Sequence, residues 1–261
     1  MAHIISQEPF PRLVELEQYH PKRGLSIPSI TVLDGKGNII EEDQRRLFRY
    51  NIQDGCGANI IFGVGTNGEW NRLSNERRQE VMRIEVDEVR TVNEELVRKG
   101  HSRVEAWVGV TGNTKQETLE NIRAAIRLGA DAGVVAPLSI IDLGETEIVN
   151  FFHREITPLI ERESSYLPLF LYDNAEIAVN HKIPHIRTRI VKQLSRLNYL
   201  VGIKVSASKK VLGNYIKASS HFKHKEEFGF YIGNAILTFD IYKLKSGLGR
   251  MISEYRNRRL L

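Results

Sequence analysis

One cysteine, Cys56, is all that the 261 residues contain. That excludes an intramolecular disulfide and any zinc site built on several thiolates. Cys56 follows Asp54-Gly55 at a helix end, where a small buried side chain is expected rather than a nucleophile. Long apolar runs are also missing. No run of about 18 such residues occurs, so no membrane-spanning helix is expected. Residues 1–24 lack an apolar core long enough for a secretory signal, and a cytoplasmic location is the default reading. A strong bias of charge is absent too. Lys and Arg number 37 against 32 Asp and Glu, a formal charge of +5. The basic residues are interleaved with acids, as from Glu76 to Arg90. Nucleic-acid binders cluster their Lys and Arg on one face or tail, so nucleic acid is not an expected partner. The small positive excess still suits an anionic small molecule.

What is present is an ordinary globular balance, 41% hydrophobic and 26% charged, enough to build a sizeable core. Apolar runs alternate with helical patterns. Strands are predicted at Leu25–Val32, Asn59–Val64, Val104–Val110, Ala132–Pro137, Leu167–Asp173, Leu200–Ser206 and Phe228–Gly233. Their starts lie roughly 30 to 45 residues apart, the size of a β-α unit. Most are continuously apolar, as in parallel strands covered on both faces. Between them, Ser74 is placed to cap a helix carrying Val81, Ile84, Val92 and Leu96. Thr114 and Glu117 form a Thr-x-x-Glu capping-box pattern, followed by Leu119, Ile122 and Ile126, with Gly129 as the stop. Ile148, Phe152, Ile156 and Leu159 make a further core stripe.

These repeats carry no composition break, so one domain is expected. Residues 1–24 read as an N-terminal extension and residues 25–261 as a (β/α) barrel. The end is irregular. Leu244, Leu248, Met251, Ile252 and Tyr255 keep a helical period, with a weak eighth strand over Gly247–Ser253 as the alternative. The helix reading leaves a TIM (β/α)8-type barrel without its last strand and C-terminal helices, and hence an open edge.

Three segments carry chemistry. Lys204 lies inside the apolar run Leu200-Val-Gly-Ile-Lys-Val-Ser206. A lysine there must reach solvent, pair with an anion, or sit desolvated with a lowered pKa. In the last case the neutral amine is a nucleophile toward ketones. The loop Gly63-Val-Gly-Thr-Asn-Gly-Glu69 lets backbone N–H groups approach a carboxylate, although an ordinary tight turn has the same composition. It lacks the Gly-Lys-Ser/Thr ending of a phosphate loop. Tyr172 ends the fifth strand, on the face where such barrels hold their active sites. Its phenol could pass protons or simply sit at the rim of the core.

Together these segments resemble the dihydrodipicolinate synthase/N-acetylneuraminate lyase family of class I aldolases. The family's Gly-Thr/Ser-Thr-Gly-Glu loop corresponds to Gly65-Thr66-Asn67-Gly68-Glu69, followed by Leu73-Ser74. Its Tyr-Asn-x-Pro corresponds to Tyr172-Asp173-Asn174-Ala175. Its Gly-x-Lys-x-Ser/Asp corresponds to Gly202-Ile203-Lys204-Val205-Ser206. Thr31-Val32-Leu33-Asp34 is similar to the family's opening strand. The likeness runs from about Gly24 to at least Asn234.

The resemblance implies a TIM barrel and a lyase, aldolase or dehydratase acting on a 2-oxo acid such as pyruvate or a 2-keto-3-deoxy sugar acid. Lys204 would form the Schiff base, Tyr172 would shuttle protons, and Thr66 would extend the relay. The Thr66-Asn67 backbone beside Gly65 would bind the substrate carboxylate, with Ser139 and Gly233, next to Asn234, lining the pocket. No cofactor and no metal are implied, and a homo-oligomer, dimer or tetramer, is expected by analogy. There are departures. Ile177 stands where the synthase subgroup carries a carboxylate-gripping arginine. Pro137-Leu138-Ser139 replaces Pro-Tyr-Tyr, so either Ser139 substitutes through a water or the relay is incomplete. Asn67 replaces a threonine and Ala175 a proline. These departures favour sugar-acid chemistry over the amino-acid biosynthetic synthase. They also motivate a second reading, a family member that binds a 2-oxo acid without turning it over or serves as an assembly subunit.

Overall fold

The computed structural model describes residues 19–163, 167–222 and 228–237. Seven strands form one parallel sheet in sequence order. They are β1 (Ser26–Pro28), β2 (Ile60–Gly63), β3 (Glu105–Gly109), β4 (Ala132–Val135), β5 (Leu169–Asn174), β6 (Leu200–Ser206) and β7 (Gly229–Ile232). All seven predicted strands are present, most of them shorter than expected. Strand β1 ends at Pro28, after which the chain folds into a local turn. There Asp34 accepts from the Lys36 and Asn38 backbones, and Leu33 bridges Ile39. Strand β4 ends before Pro137, which opens a 3₁₀ turn.

The sheet is rolled, and side-chain contacts show it. Strands β3 and β7 are four places apart, which in a flat sheet means about 19 Å at a spacing of roughly 4.8 Å. Yet the rings of Trp107 and Tyr231 lie 4.7 Å apart, centroid to centroid. Phe170 stacks on Trp107 at 4.0 Å and meets Tyr231 edge-on at 5.3 Å. Alternate residues thus face inward, giving an interior cluster of Ile60, Phe62, Trp107, Val134, Phe170, Tyr172 and Tyr231. The other face packs on the helices in a larger cluster.

The helices are α1 (Glu41–Ile52), α2 (Asn75–Arg98), α3 (Lys115–Leu128), α4 (Ile148–Phe151), α5 (Thr157–Arg162), α6 (Thr188–Leu194) and α7 (Lys209–Ser219). Ser74 caps α2 as expected, accepting from the Arg77 N–H. Val81, Ile84, Val92 and Leu96 are buried. Gly129 closes α3 in the left-handed conformation. The capping box is only half formed. Thr114 Oγ1 accepts from the Glu117 N–H, but the Glu117 carboxylate turns to the Asn113 N–H and to Arg78, because the buried guanidinium demands a partner. The stripe from Ile148 to Leu159 is buried but not plainly α-helical. A π turn over Phe152–Ile156 separates α4 from α5. The Phe152 carbonyl, which accepts from the Thr157 N–H across the π turn, also accepts from the hydroxyls of Thr157 and Tyr199. Cys56 is exposed, not buried, since Gln53 and Asp54 take positive φ and turn it away from the core. The expected helix from Leu244 to Tyr255, and its alternative as a strand, lie outside the described residues.

The amino-terminal end of the barrel is closed by the residues before β1. Tyr19 OH donates to Glu105 Oε2 at 3.0 Å, and Trp107 Nε1 donates to the same oxygen at 2.7 Å. Lys22 Nζ donates to the Arg103 carbonyl, and the Tyr231 hydroxyl donates to the Lys22 carbonyl. Burial pushes the Glu105 carboxyl from 4.5 up to about 7. Such a carboxyl holds its proton more tightly folded than unfolded. Its stabilising contribution is complete below pH 4.5 and is lost as the pH rises through about 7. Glu105→Gln removes that loss. Its stability relative to the parent, read by urea unfolding, should rise between these pH values by on the order of 2–3 kcal/mol. A difference that does not vary with pH would contradict the assignment.

Candidate active site

The site lies where β2, β5, β6 and β7 deliver their carboxyl ends. Lys204 pairs in register with Tyr172 on β5 and with Tyr231 on β7. Its amine sits 4.2 Å from the centre of the Phe62 ring and 4.8 Å from that of Tyr172. Burial lowers its pKa from 10.5 to about 8, and no other cause contributes. Aromatic faces attract a desolvated cation by about 2 kcal/mol. A shift from 10.5 to about 8 corresponds to about 3 kcal/mol in favour of the neutral amine. Desolvation wins, and with a pKa of about 8 roughly a tenth of the amine is uncharged at pH 7, far more than for an ordinary lysine.

The Tyr172 hydroxyl is the centre of a small network. Thr66 Oγ1 donates to it at 3.3 Å, and Asn174 Nδ2 donates at 3.1 Å. It also shares a hydrogen bond of 3.2 Å with Ser206 Oγ. Two of these partners, Asn174 and Ser206, were not singled out from sequence. Both stand two residues beyond a residue that was, on the same strand face, so the period of two could have found them.

Thr66 is positioned by strained backbone. Val64, a buried β-branched residue, has φ of +53°, and Glu69 has φ of +52°. Such conformations cost on the order of 1–3 kcal/mol each and gather at functional sites. They bracket the 3₁₀ turn Thr66–Gly68 and hold it over the barrel mouth. Gly65 has an ordinary φ of −90°. Its constraint is space, since an added Cβ would meet the Phe62 ring at 2.7 Å.

Above this network is a cavity of about 520 Å³. Thr66, Asn67, Tyr172, Ser206, Gly233 and Asn234 are among its lining residues. Lys204 does not line it, nor does Gly65, which backs Phe62 instead. Ser139 is buried in the turn after β4, its hydroxyl without a hydrogen-bond partner and away from the cavity. Ile177 packs against the barrel interior. Sequence reasoning also missed His185, which lines the cavity and is bonded through Nδ1 to Asp173 Oδ2 at 3.0 Å. It comes from the loop between β5 and α6, where no periodicity could point to it. Among the described residues, no cluster of three or more His, Cys, Asp or Glu side chains could hold a metal ion. None of the described helices is long and apolar enough to cross a membrane.

Comparison with known proteins agrees with this geometry. The family model described as the dihydrodipicolinate synthetase family matches residues 21–244. The chain belongs to that family. A 4-hydroxy-tetrahydrodipicolinate synthase of Ectopseudomonas mendocina is 28% identical over 182 residues, covering 69% of this chain and 54% of that protein. A putative 2-dehydro-3-deoxy-D-gluconate aldolase of Escherichia coli, YagE, is 26% identical over 183 residues, 69% of this chain and 53% of its own. The chain thus spans about half the length of the curated relatives it matches. Among solved structures, the fold matches YagE in complex with pyruvate at a TM-score of 0.69 and 22% identity, covering 85% of this chain and 66% of that one. It matches dihydrodipicolinate synthase from Bacteroides thetaiotaomicron at 0.69 and 22%, covering 88% and 68%.

The packing of Gly65 under Phe62 gives a stability test. Gly65→Ala should cost about 1–3 kcal/mol in denaturant unfolding, through overpacking. Gly35→Ala, where no atom lies within 4 Å of the added Cβ, should stay within about 0.5 kcal/mol of the parent. Equal effects would mean that the Phe62 ring is not held against the loop.

Proposed function

We propose that this family member is a lyase that makes or breaks a bond next to the carbonyl of a 2-oxo acid, through a Schiff base on Lys204. The observation that carries the reading is the desolvated amine of Lys204 beside a phenol bonded to Thr66 and Ser206. The neutral amine adds to the ketone carbon, its flexible stem carrying it past Tyr172 toward the cavity. The carbinolamine then loses water, with the Tyr172 hydroxyl giving the proton to the departing oxygen and recovering one from the Thr66 side. In the protonated imine, the C4 hydroxyl hands its proton through Tyr172 back to the Thr66 side as the C3–C4 bond breaks, and the nitrogen accepts that bond's electron pair. An enamine of the three-carbon acid and an aldehyde result. Loss of a hydroxyl from the adjacent carbons instead would give dehydration. The N–H groups of Thr66 and Asn67 are the expected seat of the 2-oxo acid's carboxylate.

The remainder of the cavity favours a hydroxylated chain over a second carboxylate. Among the described residues that line it there is no Lys or Arg, while Asn67, Asn174, Ser208 and Asn234 offer hydrogen bonds and Glu176 a negative charge. Ile177 supplies no cation where the resemblance leads one to expect an arginine. A 2-keto-3-deoxy sugar acid fits this lining better than the dicarboxylic chemistry of the synthases.

Incubation with pyruvate and borohydride, followed by peptide mapping, tests the reading. The expected product is a single reduced adduct on Lys204, absent in Lys204→Ala. Tyr172→Phe should slow trapping on the order of 10²-fold or more without moving the adduct. The trapping rate should rise with pH through about 8, as the amine loses its proton. A parent protein that forms no adduct would end the Schiff-base reading.

A further inference from the structure

The second titratable cluster at the cavity is His185 with Asp173 and Tyr215, and it has no part in the chemistry above. Asp173 is the outward-facing residue between Tyr172 and Asn174 on β5, and it is fully buried. Its Oδ1 accepts from the Ile186 N–H at 3.0 Å. Its Oδ2 meets the Tyr215 hydroxyl at 2.9 Å and His185 Nδ1 at 3.0 Å. An inaccessible carboxylate so engaged makes Nδ1 the protonated nitrogen of the ring. In the neutral ring the other nitrogen, Nε2, is the acceptor, on a side chain that is 28% exposed and lines the cavity.

Anchoring the loop does not require this ring. The loop is already held by the Ile186–Asp173 bond, by the Tyr215 hydroxyl shared between Asp173 Oδ2 and the Ile186 carbonyl, and by the Val179 N–H donating to the Leu138 carbonyl. What the ring adds is a hydrogen-bond acceptor of fixed direction at the wall of a cavity rich in amides and hydroxyls.

We propose that His185, oriented by Asp173, is a specificity-determining residue that accepts a hydrogen bond from a hydroxyl on the distal chain of a polyhydroxylated 2-oxo acid. This rests on the Lys204 reading only for which end of the substrate lies deep. Pyruvate has no hydroxyl to offer His185, whereas a six-carbon 3-deoxy sugar acid offers hydroxyls along its length. Loss of one such bond in a partly enclosed site corresponds to about a tenfold loss of affinity.

The test is calorimetric binding of 2-dehydro-3-deoxy-D-gluconate and of pyruvate to the full chain and to His185→Asn. An asparagine amide can replace Nδ1 toward Asp173 but offers nothing in place of Nε2. The parent should bind the sugar acid at least tenfold more tightly than pyruvate. His185→Asn should lose about tenfold for the sugar acid, keep its affinity for pyruvate within twofold, and melt at the parent's temperature. His185→Gln, whose amide reaches the Nε2 position, should recover part of the loss. Equal weakening toward both ligands would make His185 a structural staple and overturn the proposal, as would unchanged binding or a parent without preference. If His185→Asn melts early, Asp173→Asn, which keeps the ring and removes the charge that orients it, must show the same selective loss. Borohydride trapping of pyruvate on these variants keeps the two readings apart. Trapping retained with the preference lost supports both. No trapping in the parent defeats the Lys204 reading, while the calorimetry still decides His185.

Discussion

The site depends on one unfavourable placement, an amine held among aromatic rings with no carboxylate among the described residues to balance it. Lys204 lies against Phe62 and Tyr172, and burial alone accounts for its lowered pKa. A carboxylate in contact would have reversed the effect, making a stable ion pair and an inert nitrogen. The apolar run of β6 brings the lysine inside, and the rolled sheet closes rings around it. Gly65 leaves room for Phe62, and the strained turn from Val64 to Glu69 brings Thr66 to the phenol.

The barrel separates its charges by level. The amino-terminal floor holds protonatable carboxyls, Glu105 and Asp131, both raised by burial, with Glu105 bonded to Tyr19 and Asp131 to the Ala106 N–H. The mouth holds the amine among hydroxyls and amides, with Glu176 at the cavity wall and Asp173 turned outward to His185. Between them lies a plug of aromatic rings, Trp107, Phe170 and Tyr231. The floor acids are not among the charges that act on Lys204. The arrangement allows a basic chemistry at one end and an acidic cluster at the other without one cancelling the other.

How much of this could be read in the sequence follows from the range of the forces involved. The strands were legible because continuous burial leaves a continuous apolar run, and Ser74 and Gly129 because caps act within one turn. The grouping of Lys204, Tyr172 and Thr66 was legible through strand ends and through the likeness to a known family. Long-range competition was not. Glu117 abandoned its capping partner for Arg78, which comes from another helix. Cys56 was turned outward by two positive-φ residues that no composition rule demands. Ser139 was expected at the pocket, but the turn after Pro137 buries its hydroxyl. His185 reaches the cavity through a loop, and only its buried partner Asp173, hidden in an apolar strand, could have hinted that a carboxylate there needed donors.

The chemistry of the site depends on the protonation of one nitrogen, that of Lys204. Its titration can be followed by NMR of protein carrying 13Cε-labelled lysine, with the Lys204 signal assigned by its absence in Lys204→Arg. The account predicts a midpoint near 8, well apart from the other lysines. A midpoint at the ordinary value of 10.5 would show the amine hydrated or ion-paired, and would contradict the central claim.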